Sequence, residues 1–212
     1  MHLSETKKLQ RGFFIVFEGL DGSGKTTQAF LLKEFLCQEG YDTILLREPT
    51  EGAWGKKIRD LLSNGRKGIS PKEELNLFIE DRKENINQNI LPAMKENKIV
   101  VQDRYYFSSI AYQGAIGLKP QEIRAMNEAF ALKPDLVFYL EIKPALGLKR
   151  IEANRQGKRE SFEKEPYLIK VKKIFDSFND PFIRKINGSL PLDSIQKNIN
   201  EIAIEKLSLI AS

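Results

Sequence analysis

Gly19-Leu20-Asp21-Gly22-Ser23-Gly24-Lys25-Thr26 fits the pattern G-x-x-x-x-G-K-[ST], and it restricts the fold of this 212-residue chain more than any other segment does. The pattern has a mechanism only where a strand runs into it and a helix leaves it. Both flanks comply. Phe13 to Phe17 is an unbroken apolar run of strand length, and Gly24 to Gln38 carries Leu31, Leu32, Phe35 and Leu36 at helical spacing. In that setting the glycines let backbone N–H groups curl around an anion, and the helix N-terminus adds positive potential. Lys25 brings a mobile charge to the β and γ phosphates, and the Thr26 hydroxyl is placed for Mg²⁺. The candidate triphosphate site is therefore Gly19, Leu20, Asp21, Gly22, Ser23, Gly24, Lys25, Thr26 and Thr27. The structural alternative is an ordinary glycine-rich turn. Taken alone, the loop says only that a nucleoside triphosphate binds.

The rest of the chain repeats the strand-then-helix theme. Thr43–Leu46, Ile99–Val101, Leu136–Ile142 and Phe182–Ile186 read as further strands. Ser70-Pro71-Lys72-Glu73 has the form of a capping box with proline at the first helical position, and should open a long helix towards Met94. Pro120 and Pro144 each mark a helix start, and a last helix runs from about Asp193 to Leu209. Such alternation predicts one α/β domain over 1–212, with a parallel five-stranded sheet and helices on both faces. Ligands then gather at the carboxyl ends of the strands. Residues 1–11 are polar and are expected to be loose.

Composition narrows the chemistry. Cys37 is the single cysteine, so an internal disulfide and a cysteine-rich metal site are excluded. His2 is the single histidine, so no internal histidine base is available. No apolar run approaches the roughly 18 residues of a membrane span, and no secretory signal opens the chain. These features predict a cytoplasmic protein without membrane contact. The net charge of +5 fits a pocket for several phosphates as well as it fits nucleic acid.

Several later residues invite a chemical reading. Arg47 ends the second strand, where its planar fork suits a phosphate; a solvent-exposed strand-end arginine is the alternative. Phe78 and Arg82 are four apart and share a helix face. A ring there can stack on a base and a guanidinium can donate to a base carbonyl; alternatively Phe78 is core and Arg82 pairs with an acid. Asp103 ends the apolar strand Ile99-Val100-Val101-Gln102 and can hold Mg²⁺, or cap the helix that follows. The only Asn-Lys pair, Asn97-Lys98, runs into Ile99-Val100, so the guanine signature N-K-x-D of a GTPase is missing.

Taken together, these segments resemble the thymidylate kinases over nearly the whole length. The resemblance rests on residues 17–27 (FEGLDGSGKTT), Arg47-Glu48-Pro49, Phe78-Ile79-Glu80-Asp81-Arg82, Asp103-Arg104-Tyr105, Ser108-Ser109, Ala111-Tyr112-Gln113-Gly114 and Pro134-Asp135-Leu136. It implies a three-layer P-loop NTPase fold with a short lid, here about residues 150–164. It also implies transfer of the γ-phosphate of Mg·ATP to dTMP and a homodimer. By the same resemblance Arg47 holds the acceptor phosphate, Phe78 stacks on thymine and Arg82 meets its O4 edge. Arg104 clamps between acceptor and transferring phosphates. Ser108 and Ser109 face the base, Tyr112 packs under the deoxyribose, and Asp21 reads the sugar 3′-hydroxyl. The phosphate loop lacks a basic residue between Gly19 and Gly24, so the lid is expected to supply the catalytic arginine: Arg155 or Arg159, with Arg150 nearer the adenine. Rival readings are a kinase for another nucleoside monophosphate or deoxynucleoside, and a nucleotide-dependent nucleic-acid binder. The last is disfavoured because basic residues interleave with acids and no recognition motif is present.

Overall fold

The computed structural model describes residues 7–154 and 165–210. Five strands, β1 (Phe13–Gly19), β2 (Thr43–Arg47), β3 (Ile99–Asp103), β4 (Leu136–Glu141) and β5 (Ile183–Asn187), form one parallel sheet in the order β2-β3-β1-β4-β5. β1, β3 and β4 are buried almost throughout, as expected for central strands covered on both faces. Register aligns Phe17 with Asp103 and Gly19 with Leu140, so the phosphate loop and Asp103 leave the same edge.

The two faces alternate along the strands. Phe13, Ile15 and Phe17 pack with Ile99, Val101, Phe138 and Leu140 under α1 (Lys25–Gln38) and α9 (Leu192–Ser208). Those helices contribute Ala29, Leu32 and Leu36, and Ile195, Ile199, Ala203 and Leu207. Leu31 and Phe35 are only half-buried, at the border of this stripe. Phe14, Val16, Val100, Val137 and Tyr139 face the opposite core. That core is covered from α3 (Pro71–Asn85), α5 (Tyr106–Ala115), α6 (Pro120–Glu128) and α8 (Glu165–Asp176).

The capping box at Ser70 is present: Glu73 N–H donates to Ser70 Oγ, and Ser70 N–H donates to Glu73 Oε2 at 2.8 Å. The long helix it opens reaches Lys95, but not as one α-helix. A π-helical turn, Ile86–Ile90, joins α3 to α4 (Leu91–Lys95). Pro92 has no N–H to donate and disfavours α geometry just before it, so a widened turn at this place has a covalent reason. α2 (Ala53–Ser63) is a helix that the sequence reading did not anticipate, and α7 (Pro144–Asn154) starts at its proline.

The expectation of a loose segment over 1–11 does not hold for residues 7–11. Lys7 N–H donates to Gly40 O at 2.9 Å, Gln10 N–H donates to Ile210 O at 3.1 Å, and Leu9 is buried. Arg11 pairs with Asp135, whose other oxygen accepts Phe14 N–H. One apolar residue in a polar stretch is enough to dock it when the ends of neighbouring helices offer backbone partners. The lid expected at 150–164 falls largely on residues outside those described.

Candidate functional site

The phosphate loop is shaped by backbone conformation. Gly24 precedes α1 at φ 96, a left-handed conformation that favours glycine. Gly22 sits at φ 76, and a Cβ there would lie 2.4 Å from Gly147 O on α7. Glycine is thus required at 22 both for its φ and for the close approach of α7. Lys25 is buried, and its Nζ donates to Leu20 O at 2.8 Å. Burial, followed by the charge of Arg104, lowers its pKa to about 8; Asp21, Asp103 and Glu18 oppose the shift. The loop therefore keeps an ammonium group desolvated and poorly paired, which an incoming polyphosphate would relieve.

Thr26 Oγ1 donates to Asp103 Oδ2 at 2.6 Å, so helix α1 and strand β3 deliver a hydroxyl and a carboxylate to one spot. Asp103 is buried, and its other oxygen, Oδ1, has no hydrogen-bond partner among the described residues. A buried carboxylate oxygen in that condition is suited to a cation or its water. Two protein oxygens suit Mg²⁺, which keeps several waters and takes substrate phosphates as further ligands. The described residues contain no cluster of three or more acidic, histidine or cysteine side chains that would make an all-protein metal cage. The alternative role of Asp103, capping the next helix, is taken by another residue. Glu18 accepts Tyr105 N–H at 2.8 Å and Ser108 N–H at 3.0 Å at the start of α5. It also accepts the Ser108 hydroxyl at 2.6 Å. Burial raises the Glu18 pKa, while these bonds and Arg104 oppose the rise.

Two cavities meet over the strand ends. One, of about 560 Å³, is lined by the phosphate loop, Thr26, Thr27, Gln28, Arg150, Ile151, Leu190, Leu192 and Ile195. The other, of about 440 Å³, is lined by Glu48, Pro49, Phe78, Arg82, Ser108, Ser109, Tyr112 and Gln113, with Arg59 and Arg66. Asp21, Arg47 and Arg104 line both. Each volume suits a small ligand. A third depression, about 720 Å³ between α1 and α9, is an open surface groove remote from the strand ends.

The junction is built around Arg104, a non-glycine residue at φ 69. Its Nη2 pairs with Asp21 Oδ1, its Nη1 donates to Ser108 Oγ at 3.1 Å, and its guanidinium lies 5.4 Å from the Tyr112 ring centre. Burial works against its charge, but Asp21, Tyr112, Asp103 and Glu18 keep it firmly protonated. The Tyr112 hydroxyl donates to Asp21 Oδ2 and accepts Asp21 N–H, both at 3.1 Å. Burial pushes its phenol pKa up, so the hydroxyl stays neutral. Arg47 is 62% exposed, with Nε 3.7 Å from Asp103 Oδ2. An exposed cation is thereby left over both cavities.

The floor of the second cavity is a buried polar network. Arg82 is 1% exposed; Nε and Nη2 both reach Glu48 Oε2, at 2.9 and 2.8 Å. Nη2 also donates to Ser109 Oγ at 3.2 Å, and Nη1 to Asn127 Oδ1 at 2.6 Å. Asn85 Nδ2 donates to the other Glu48 oxygen at 3.1 Å. Burial pushes the Glu48 pKa up to about 7, against the pull of Arg82. Arg82 is thus paired with an acid, as the alternative reading expected, and it also lines the cavity. Phe78 is half-buried at the wall, not sunk in the core.

Site residues missed by the sequence reading come from α2 and its end, and from α6, whose Asn127 accepts from Arg82. Arg59 Nη1 donates to Thr50 O at 2.5 Å and staples the segment after the cis Glu48-Pro49 bond. Arg66 pairs with Glu74 at 3.0 Å. Neither sits in a recognisable motif; α2 would have drawn attention to Arg59. Arg150 donates to Gly188 O at 2.9 Å at the triphosphate cavity, away from the second one. Arg155 and Arg159, the expected lid arginines, lie outside the described residues.

Comparison with known proteins finds relatives along most of the chain. A family model described as thymidylate kinase matches residues 17–199. A thymidylate kinase of Desulfotalea psychrophila is 44% identical over 188 residues, covering 89% of this chain and 92% of the relative. A probable thymidylate kinase of Archaeoglobus fulgidus is 41% identical over 195 residues, covering 92% and 96%. A thymidylate kinase of Brachyspira hyodysenteriae is 43% identical over 185 residues, covering 87% and 90%.

Proposed function

The chain belongs to the thymidylate kinase family, and from that premise we propose that it passes the γ-phosphate of ATP to dTMP where its two cavities meet. The observation that carries the reading is that Asp21, Arg47 and Arg104 line both cavities. Two cations on a shared rim are what two facing phosphate groups need if one is to attack the other, and Asp21 orients one of them, Arg104.

ATP lies over the phosphate loop, its β and γ phosphates against the loop N–H groups and Lys25. Arg150, Leu190 and Leu192 wall the outer part of that cavity and flank the adenine. dTMP fills the second cavity, with its base on Phe78 and its carbonyl edge towards Arg82. Ser109 and Gln113 stand beside it, and Gln113 Oε1 is buried without a protein partner. Tyr112 and Asp21 hold the sugar end; the Tyr112 ring leaves little room for a 2′-hydroxyl, and the Asp21 carboxylate accepts from a 3′-hydroxyl. Arg47 grips the acceptor phosphate.

In the transfer, an oxygen of the dTMP phosphate forms a bond to the γ phosphorus. The bond from that phosphorus to the β–γ bridging oxygen breaks, and ADP leaves with the electron pair. No base is required, since the attacking phosphate is already an anion. Arg104 spans acceptor and transferring phosphates, and Lys25 offsets charge on the β–γ side. Thr26 and Asp103 would hold Mg²⁺, which neutralises the phosphate oxygens when bound. Arg155 or Arg159 is proposed to add a further cation, because the phosphate loop has no basic residue between Gly19 and Gly24.

Family membership also supports a homodimer in the cytoplasm. No helix among the described residues is long and apolar enough to cross a membrane. The test of the reading is an acceptor panel with ATP and Mg²⁺: dTMP should be the preferred acceptor over dUMP, dCMP, dGMP and thymidine. ADP release that is no faster with dTMP than with any other acceptor would refute it.

A further inference from the structure

We propose that Asn127 is a positioning residue for acceptor selection: its amide oxygen fixes the Arg82 guanidinium so that the second N–H of Nη1 is held in place to test the base. The inference rests on the reading of Arg82 as the group that meets the base. It extends that reading to a helix that carries none of the sequence motifs.

Asn127 lies on α6, one turn after Ile123, and both side chains are buried, Asn127 completely. An apolar residue would serve packing alone at such a position, whereas a buried amide costs free energy unless both ends are bonded. Both ends are. Nδ2 donates to Ile123 O at 2.8 Å, and Oδ1 accepts Arg82 Nη1 at 2.6 Å. The amide oxygen is therefore committed to Arg82.

The other contacts of Arg82 explain why that commitment matters. Glu48 holds the Nε–Nη2 edge of the guanidinium, and Ser109 takes a second bond from Nη2. Nothing on that edge stops the far corner, Nη1, from swinging about it. Asn127 is the contact that stops it. A guanidinium has five N–H donors. Hydrogen bonds to these partners use one donor on each of Nε, Nη1 and Nη2, and the second N–H of Nη1 has no protein partner among the described residues. Arg82 lines the cavity, so this donor is available to a ligand.

A fixed group that only donates discriminates sharply. It donates to the carbonyl at position 4 of thymine or uracil. It sets donor against donor with the amino group at position 4 of cytosine, leaving buried polar groups unpaired. A guanidinium free to pivot would relieve that clash and also lose its alignment on the carbonyl. Asn127 should consequently affect both dTMP affinity and the rejection of cytosine, while leaving the ATP side alone.

The test compares Asn127→Leu, Asn127→Asp and Arg82→Lys in steady-state assays with dTMP and dCMP as acceptors. Asn127→Leu should raise KM for dTMP about tenfold, equivalent to about 1.4 kcal/mol, with KM for ATP unchanged. It should also shrink the kcat/KM preference for dTMP over dCMP about tenfold. Asn127→Asp keeps an acceptor facing Nη1 and should recover most of both losses. Arg82→Lys should lose the preference by itself, and adding Asn127→Leu to it should cost little more, because the amide acts through the guanidinium. If circular dichroism shows Asn127→Leu unfolded, Asn127→Ala is read in its place by the same criteria. A folded variant with dTMP KM and preference within twofold of the parent overturns the inference, as do equal rises in KM for ATP and dTMP. If Arg82→Lys keeps the full preference, the base-reading role itself has failed; if it loses the preference and Asn127→Leu does not, only the role of Asn127 has.

Discussion

Lys25→Met separates two contributions of one buried charge. The Lys25 ammonium is buried with a single protein hydrogen bond, to Leu20 O, and its pKa is lowered from 10.5 to about 8. At 1.36 kcal/mol per unit, the ammonium costs the nucleotide-free protein on the order of 3 kcal/mol. The sign follows from linkage. Below pH 8 both folded and unfolded chains are protonated at this site, so the full cost is present. Between 8 and 10.5 the folded protein binds fewer protons than the unfolded one, and the cost fades as pH rises. Methionine fills similar space without a charge. The variant should therefore be more stable than the parent at pH 7 without nucleotide, by up to about 3 kcal/mol, or several degrees in Tm. That gain should shrink towards pH 10. Turnover should fall by roughly 10²–10³, the usual consequence of losing one preorganised charge partner of a transition state. Differential scanning calorimetry at two pH values and a coupled ADP-release assay read both quantities. A variant less stable than the parent at pH 7, or one with turnover within tenfold of it, would refute the reasoning.

Three further outcomes follow from the same geometry. Above pH 8, kcat/KM for ATP should decline as free Lys25 loses its proton, and a pH profile flat to pH 9 would contradict the assigned environment. Asp103→Asn keeps the hydrogen bond from Thr26 but removes the charge beside the unpartnered oxygen; the Mg²⁺ concentration for half-maximal activity should rise at least about tenfold, and an unchanged Mg²⁺ titration would exclude Asp103 as a ligand. Glu18→Ala leaves Tyr105 and Ser108 N–H groups unmet at the start of α5, so Tm should drop and kcat should fall more than KM for ATP, because Arg104 loses its support; an intact kcat would show that Arg104 needs none.

How much of this was legible depends on whether the cause lay nearby in the chain. β1, the phosphate loop, the Ser70 cap and the proline helix starts are set by neighbours in sequence, and they appear where the residues indicate. α2 was hidden by its own glycines. Gly55 argues against a helix interior by propensity, yet a Cβ there would lie 1.8 Å from Thr50 O, so glycine is required by packing. α5 begins at Tyr106 without a local side-chain cap, because its cap is Glu18, 87 residues away from Tyr105. In the same way Arg82 carries its motif visibly, while Glu48, Ser109 and Asn127 come together only through the fold. The sequence located individual groups that line the two cavities; the contacts that orient them are tertiary and had no local signature.

The account turns on two nucleotides bound side by side. Isothermal titration of dTMP into protein saturated with a non-hydrolysable ATP analogue and Mg²⁺ tests this directly. The account predicts one dTMP per chain, with the analogue retained. Displacement of the analogue by dTMP, or no dTMP uptake while the analogue is bound, would contradict it.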